Sequence, residues 1–323
     1  SNGEPVTAED YVFSWQRTVD PATASNYAYM LAPVKNAVAI SDGTKDKSEL
    51  GIEAVTSHEL KITLEKATPY FKSLLAFPTF FPQSEAVVQE HGDQYALTSA
   101  NAVYNGPFTL EDYDGPGTDI QWTLKKNPEY WDADSVKLSG VQFDVVKESS
   151  TSYNLYENGQ ADDITLSGEL AMQNVNHKDY VVQPSATTQY LEMNQAAEDS
   201  PFRNEKLRQA ISYSLDRQQI VDQILGNGSL PAVGFVPSDL AYNPDTKTDF
   251  VKDAGTSLPY DEEQAKKFWE QAKSELGKDT LSFELLTSDT DQSKKLAEYI
   301  QGTLQQTLEG LTVEVTNVPF SVR

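Results

Sequence analysis

Three histidines, one adjacent acid pair and one cluster of cations are the residues of this chain whose types lend themselves to chemistry. His58, His91 and His177 are scattered, with no HExxH pattern and no pair at helical spacing. A zinc site would have to recruit carboxylates from distant parts of the fold, so no metal is expected. Asp162 and Asp163 are adjacent. Two carboxylates can serve glycoside hydrolysis from anywhere in a fold, but an acidic chain offers such pairs by chance, and solvated turn acids are the simpler reading. The chain has no GxSxG elbow, Walker loop or GxGxxG fingerprint. It has no Cys, which removes disulfides, thiolate nucleophiles and thiolate metal sites together. Asn227-Gly228-Ser229 fits both a glycosylation sequon and a plain Asn-Gly turn. No catalytic residue and no cofactor is assigned.

The cations are more conspicuous. The stretch SPFRNEKLRQAISYSLDR, residues 200–217, holds Arg203, Lys206, Arg208 and Arg217. An anion would sit on backbone N–H groups at a helix start flanked by Arg. Here, however, the cations surround the helix start without forming one stripe, while Leu207, Ile211 and Leu215 recur at i, i+4 and i+8 and define an inward face. This pattern favours a packed helix with solvated or paired charges.

The whole chain carries 25 Lys and Arg against 49 Asp and Glu over 323 residues, a formal charge of −24. A nucleic-acid binder neutralises phosphates with clustered cations, and a field of this sign repels a polyanion, so no nucleic-acid partner is expected. Sixteen Tyr and thirteen Phe belong to a folded chain with aromatic surfaces rather than a disordered one. No apolar run is long enough for a membrane-spanning helix, and no leader is visible. The abrupt opening SNGEPVTAED reads as a cut rather than a natural start.

These residues must be positioned by alternating elements. Thr7 with Asp10 resembles a capping pair opening a helix through Val12, Phe13 and Trp15. HELKITLEKA alternates as a half-buried strand, and TPYFKSLLAFPTFFPQ predicts a short helix followed by an irregular aromatic segment. PFTLEDY, DIQWTLKKN and KLSGVQFDVV predict three strands with turns at Asn105-Gly106 and Asp114-Gly115. A helix from Ser149 ends at Asn158-Gly159. DDITLSG then predicts a short strand, and YVVQPSATTQYLEMNQ two more around Pro184. Asp261 with Gln264 opens a helix that Gly277 closes. LSFELLTS, a helix through Leu296–Leu304 and LTVEVTNV form a βαβ unit with parallel strands. Ligands of such sheets sit beyond the C-terminal strand ends, which marks Thr287 and Ser288. The pattern changes near residues 87 and 190.

The segment PFRNEKLRQAISYSLDRQQIVDQILGNGSLPAVGFVP closely resembles the signature region of the family 5 extracellular solute-binding proteins, the receptors of peptide ABC importers. SNGEPVTAEDYVFSWQR, NGPFTL, KNPEYWD and LYENGQADD resemble further motifs of that family, in the family's order. RTVDPATASNYAYML is similar to a segment of its oligopeptide-binding, OppA-like branch, and some pheromone-peptide receptors share it.

The resemblance implies an α/β, periplasmic-binding-protein-like fold of class II (cluster C), two-lobed with an extra small α+β domain and incomplete at both ends. Residues 1–87 would be most of the small domain, 88–190 the middle of the first lobe, and 191–323 the first part of the second lobe. It implies an oligopeptide ligand held extended between lobes, a membrane permease as partner, a monomer, no reaction, and a place outside the cell membrane as a lipoprotein or in the periplasm. It makes the cations of residues 200–217 scaffold. Tyr27 aligns with a ligand-facing aromatic, or packs within the small domain. Thr165, Leu166 and Ser167 align with a strand end facing the cleft. Tyr190, Met193 and Asn194 lie where the chain crosses between lobes, as ligand contacts or hinge packing, and Phe77 lines a pocket or packs in the core. The alternatives are a receptor for another solute such as an oligosaccharide, which would favour stacked Trp, and a glycosidase or peptidase.

Overall fold

The computed structural model describes residues 1–117, 119–255 and 259–319. Contacts divide the chain into two compact units, Ser1–Val145 and Val146–Arg323.

The first unit begins with α1 (Ala8–Val19). Its start is fixed as the sequence predicts: the Thr7 amide donates to Asp10 Oδ2 at 2.7 Å, and the Thr7 hydroxyl meets the same oxygen at 3.1 Å. Trp15 and Val19 on its inner face pack with Leu31, Val34, Ile40, Leu50, Ile52 and Phe80. The Trp15 indole also donates to the Phe80 carbonyl at 3.0 Å, so the buried ring leaves no polar atom unmatched. Around this core lie α2 (Ala37–Ser41), the antiparallel hairpin β1 (Ile52–Thr56) and β2 (Glu59–Ile62), the single turn α3 (Phe71–Leu74), and α4 (Glu85–His91). Gly51 leads into β1 where a side chain cannot fit, because a Cβ would lie 2.6 Å from the Thr63 carbonyl oxygen.

The unit ends with an antiparallel sheet of β3 (Phe108–Glu111), β4 (Gln121–Lys126) and β5 (Gly140–Asp144). Asn127 follows β4 and is fully buried. Its backbone amide donates to the Pro107 carbonyl and its side-chain amide to the Gly106 carbonyl, each at 2.9 Å, while its Oδ1 accepts from the Glu129 amide at 3.0 Å. In KNPEYWD the structural residue is therefore the Asn; Trp131 is 84% exposed.

The second unit opens with α5 (Ser149–Glu157) and α6 (Gly168–Asn174). An irregular passage leads to α7 (Glu205–Ser214), then to the single turn α8 (Arg217–Gln219), which runs into a π-helical turn, Ile220–Leu225. After α9 (Phe250–Ala254) come α10 (Glu262–Leu276), β6 (Leu281–Ser288), α11 (Asp291–Thr307) and β7 (Leu311–Val318). β6 and β7 pair in parallel from Leu281↔Leu311 to Ser288↔Val318, the βαβ unit the alternation predicts. The Asp261 carboxylate caps α10 by accepting from the Gln264 amide at 2.9 Å, and Gly277 closes it at φ +64°. Leu207, Ile211 and Leu215 meet Trp269, Leu304, Leu308 and Val313 in one core. The Trp269 indole donates to the Glu309 carbonyl at 2.8 Å, joining α10 to the turn before β7.

Three predicted strands differ. Residues 162–168 and the two pieces around Pro184 form no strand among the described residues. Alternation tells which side of a segment prefers burial, but a strand also needs a neighbour to take its N–H and C=O groups. Among the described residues neither segment has one.

Candidate functional site

The cations of residues 200–217 form no anion cradle. Arg208 donates to the carbonyls of Phe202 and Arg203, Arg203 to that of Glu198, and Arg217 to those of Ser212 and Leu215. Arg217 thus satisfies carbonyls at the C-terminal end of α7, which an α-helix cannot pair internally. Burial lowers the affinity of its guanidinium for a proton. Lys206 lies over the Phe268 ring, 5.1 Å from its centroid. Asp162 and Asp163 are exposed. Asn227 accepts from the Ser229 amide at 3.1 Å and the Ser229 hydroxyl at 2.7 Å, an Asx turn with Gly228 at φ +82°.

Two of the predicted ligand residues meet in the first unit. The rings of Tyr27 and Phe77 lie 5.6 Å apart, centroid to centroid, and Tyr27 is 6.3 Å from Tyr29. Tyr27 precedes a 3₁₀ turn, Ala28–Leu31, and Phe77 precedes another, Pro78–Phe80. In each turn the following residues are core: Leu31 and Phe80 are buried. The core thereby anchors both turns and leaves their leading aromatics outside. Tyr27 is 49%, Phe77 41% and Tyr29 69% exposed. Tyr29 escaped the sequence reading; its spacing of two from Tyr27 in a segment without strand alternation is the one signal that marks it.

In the second unit a chain of polar contacts brings two predicted groups near one another. Ser167 is the residue before α6, with extended backbone, and its hydroxyl lies 3.4 Å from that of Ser149. Two residues before Ser149, the Lys147 ammonium donates to Asp289 at 2.5 Å. Asp289 follows Ser288 at the C-terminal end of β6. The bond from Lys147 holds the Asp289 carboxyl below the usual carboxylate range. Thr165 is exposed, Leu166, Ser167 and Thr287 are half-buried, and Ser288 is buried. Sequence reasoning missed Ser149, Lys147 and Asp289, because nothing local relates residues 142 positions apart.

Tyr190 is exposed and packs edge-on against Phe235 at 5.3 Å, while the Thr188 hydroxyl donates to the Phe235 carbonyl at 2.9 Å. Met193 packs against the core of the unit. Asn194 is turned to its own loop, its Oδ1 accepting from the Ala196 amide at 3.0 Å. No group of metal-ligating side chains stands together among the described residues.

The chain is mixed α/β, with an exposed aromatic cluster at Tyr27, Tyr29 and Phe77. Residues 1–323 match the family described as "Bacterial extracellular solute-binding proteins, family 5 Middle", and the chain belongs to that family. It is 37% identical over its whole length to the dipeptide-binding protein of Lactococcus lactis, covering 60% of that protein. The structure of Listeria monocytogenes OppA bound to peptide is 44% identical, with a TM-score of 0.95 over 100% of this chain and 63% of that one. The pheromone receptor PrgZ, solved for its mode of peptide binding, is 40% identical, with a TM-score of 0.95 over 99% of this chain and 63% of that one. The fold is that of OppA-type substrate-binding proteins. The chain spans about 60% of the length of the curated relatives it matches.

Proposed function

We propose that this chain is the ligand-reading portion of a receptor that captures extended oligopeptides for an ABC importer. The observation that carries this reading is the exposed aromatic cluster of Tyr27, Tyr29 and Phe77, built on anchored turns. Its faces suit peptide side chains of varied shape. Residues 163–167 and 181–194 support the same reading: segments outside helix and sheet, with no sheet partner among the described residues, are free to pair their main chain with a stretched guest. Tyr190, with Phe235 beside it, adds a second aromatic surface, and Thr165–Ser167 with Thr287 add hydroxyls and backbone. Binding of this kind makes and breaks no covalent bond, so the ligand leaves intact.

In this reading residues 1–87 are the small domain, 88–190 belong to the first lobe and 191–323 to the second. The receptor works as a monomer outside the membrane, in the periplasm or lipid-anchored, and delivers peptide to a permease. An oligosaccharide receptor would place several Trp on its surface. Two of the four here, Trp15 and Trp269, are core residues.

The test is affinity selection by the full-length protein from an equimolar mixture of random tri- to octapeptides and cello-oligosaccharides, with mass analysis of what is retained. Retention of uncleaved peptides is expected. Retention of sugars alone, or recovery of peptide fragments, would overturn the proposal.

A further inference from the structure

Among the described residues, 146–190 contribute no side chain to the large core of the second unit, whose first participant is Leu191. Discrete contacts join this layer to the elements of that core instead. At Gly168 and Gly226 the backbones approach so closely that a Cβ on Gly226 would lie 2.8 Å from the Gly168 oxygen. Val182 lies against Gly228, and Thr188 donates to the Phe235 carbonyl. α6 also packs on the π-helical turn, with Met172 beside Gly226, and a further contact is ionic: Lys147 to Asp289.

That ion pair stands between two groups of binding residues. Lys147 leads within two residues to Ser149, whose hydroxyl meets Ser167. Asp289 follows directly on Thr287 and Ser288 and precedes Thr290, whose hydroxyl caps α11 by accepting from the Ser293 amide at 3.3 Å. Asp289 therefore sits between a strand end and a capped helix start that both belong to core elements, whereas Lys147 belongs to the layer whose side chains lie outside that core. Of these contacts the charge pair is the one whose two partners lie within two residues of Ser149 and of Thr287–Ser288. Lys294, on the first turns of α11, is the other cation whose field reaches Asp289.

We propose that Lys147 and Asp289 are a positioning pair, holding Thr165–Ser167 at a set distance from Thr287–Ser288 and so setting the width of the peptide-binding edge. The inference rests on the peptide-receptor reading for its purpose, but not for its test.

Residues 1–323 hold no Cys, so spin labels are placed at Glu157→Cys on α5 and Glu298→Cys on α11, both exposed, in the full-length protein with any Cys outside these residues replaced by Ser. Distances are then measured by double electron–electron resonance without ligand. Lys147→Glu and Asp289→Lys are each expected to raise the population of longer distances about two- to fivefold, the range of a partly exposed ion pair. The combined exchange Lys147→Glu/Asp289→Lys is expected to restore the wild-type distribution, with the melting temperature unchanged throughout. Single variants that lower the melting temperature without moving the distances, or an exchange that fails to restore them, would overturn the proposal. No peptide enters the measurement, so a failure to bind peptide is read separately.

Discussion

Tyr27 and Phe77 are 50 positions apart in sequence, yet their rings lie 5.6 Å apart, each leading a turn whose last residue, Leu31 or Phe80, is sealed in the core. Under the proposed function, buried anchors and exposed aromatics should separate binding from stability. Tyr27→Ala and Phe77→Ala are each expected to weaken retention of octapeptides from a random pool about three- to tenfold, the scale of about 0.5–1.5 kcal/mol for an aromatic contact. The stability cost is expected to stay within about 0.5–1.5 kcal/mol, the worth of the lost ring pair. Titration calorimetry beside thermal melts checks both halves; a large loss of stability with unchanged binding would reassign the pair to packing.

Trp269 gives the opposite case. It is almost fully buried, and its indole bonds the Glu309 carbonyl. Trp269→Ala is expected to cost about 3–5 kcal/mol of folding stability. Trp269→Phe keeps most of the ring but leaves that carbonyl without its donor, for about 1–3 kcal/mol. Denaturant titrations of the two variants should rank them in that order.

Gly226 has φ +57° and faces the Gly168 carbonyl, so Gly226→Ala is strained in backbone and in space. A loss of more than about 1 kcal/mol is expected. Gly234 has ordinary φ and open space where its Cβ would stand. Gly234→Ala is expected to be neutral or stabilising by up to about 1 kcal/mol, through the unfolded chain. Melting both variants side by side checks the contrast.

Asp20 accepts from Lys47 at 2.7 Å and from the Ala22 amide at 3.0 Å, and the lysine bond, first of the two, draws its pKa below the ordinary 3.8. A carboxyl lowered on folding contributes stability that is present above its unfolded pKa and is lost as the pH falls through the folded value. Stability should therefore decline below about pH 4, and Asp20→Asn should make that decline shallower. Urea midpoints between pH 5 and pH 2.5 measure it; parallel curves for the two proteins would contradict the assignment.

Much of this fold was legible in the amino-acid order. Thr7 and Asp10, Asp261 and Gly277 mark helix ends by local chemistry, and Leu207, Ile211 and Leu215 mark a buried face by their spacing. The βαβ unit follows from two alternating segments around one helical one. The strands expected at 162–168 and around Pro184 are absent among the described residues, because pairing depends on a neighbour that alternation does not reveal. The Arg208 and Arg217 guanidinium groups met carbonyls rather than acids or anions, a choice set by which helix end lies nearby. Tyr27 and Phe77 were carried by resemblance to the family; that their rings meet, and that Tyr29 joins them, required the turns. The link from Ser167 through Ser149 to Lys147 and Asp289 has no sequence signature at all.

Native mass spectrometry of the freshly purified full-length protein tests peptide capture most directly. The account predicts adduct masses that are released on gentle activation and that fragment as intact oligopeptides of mixed sequence. A protein that carries no peptide, and takes up none when peptides are supplied, would contradict it.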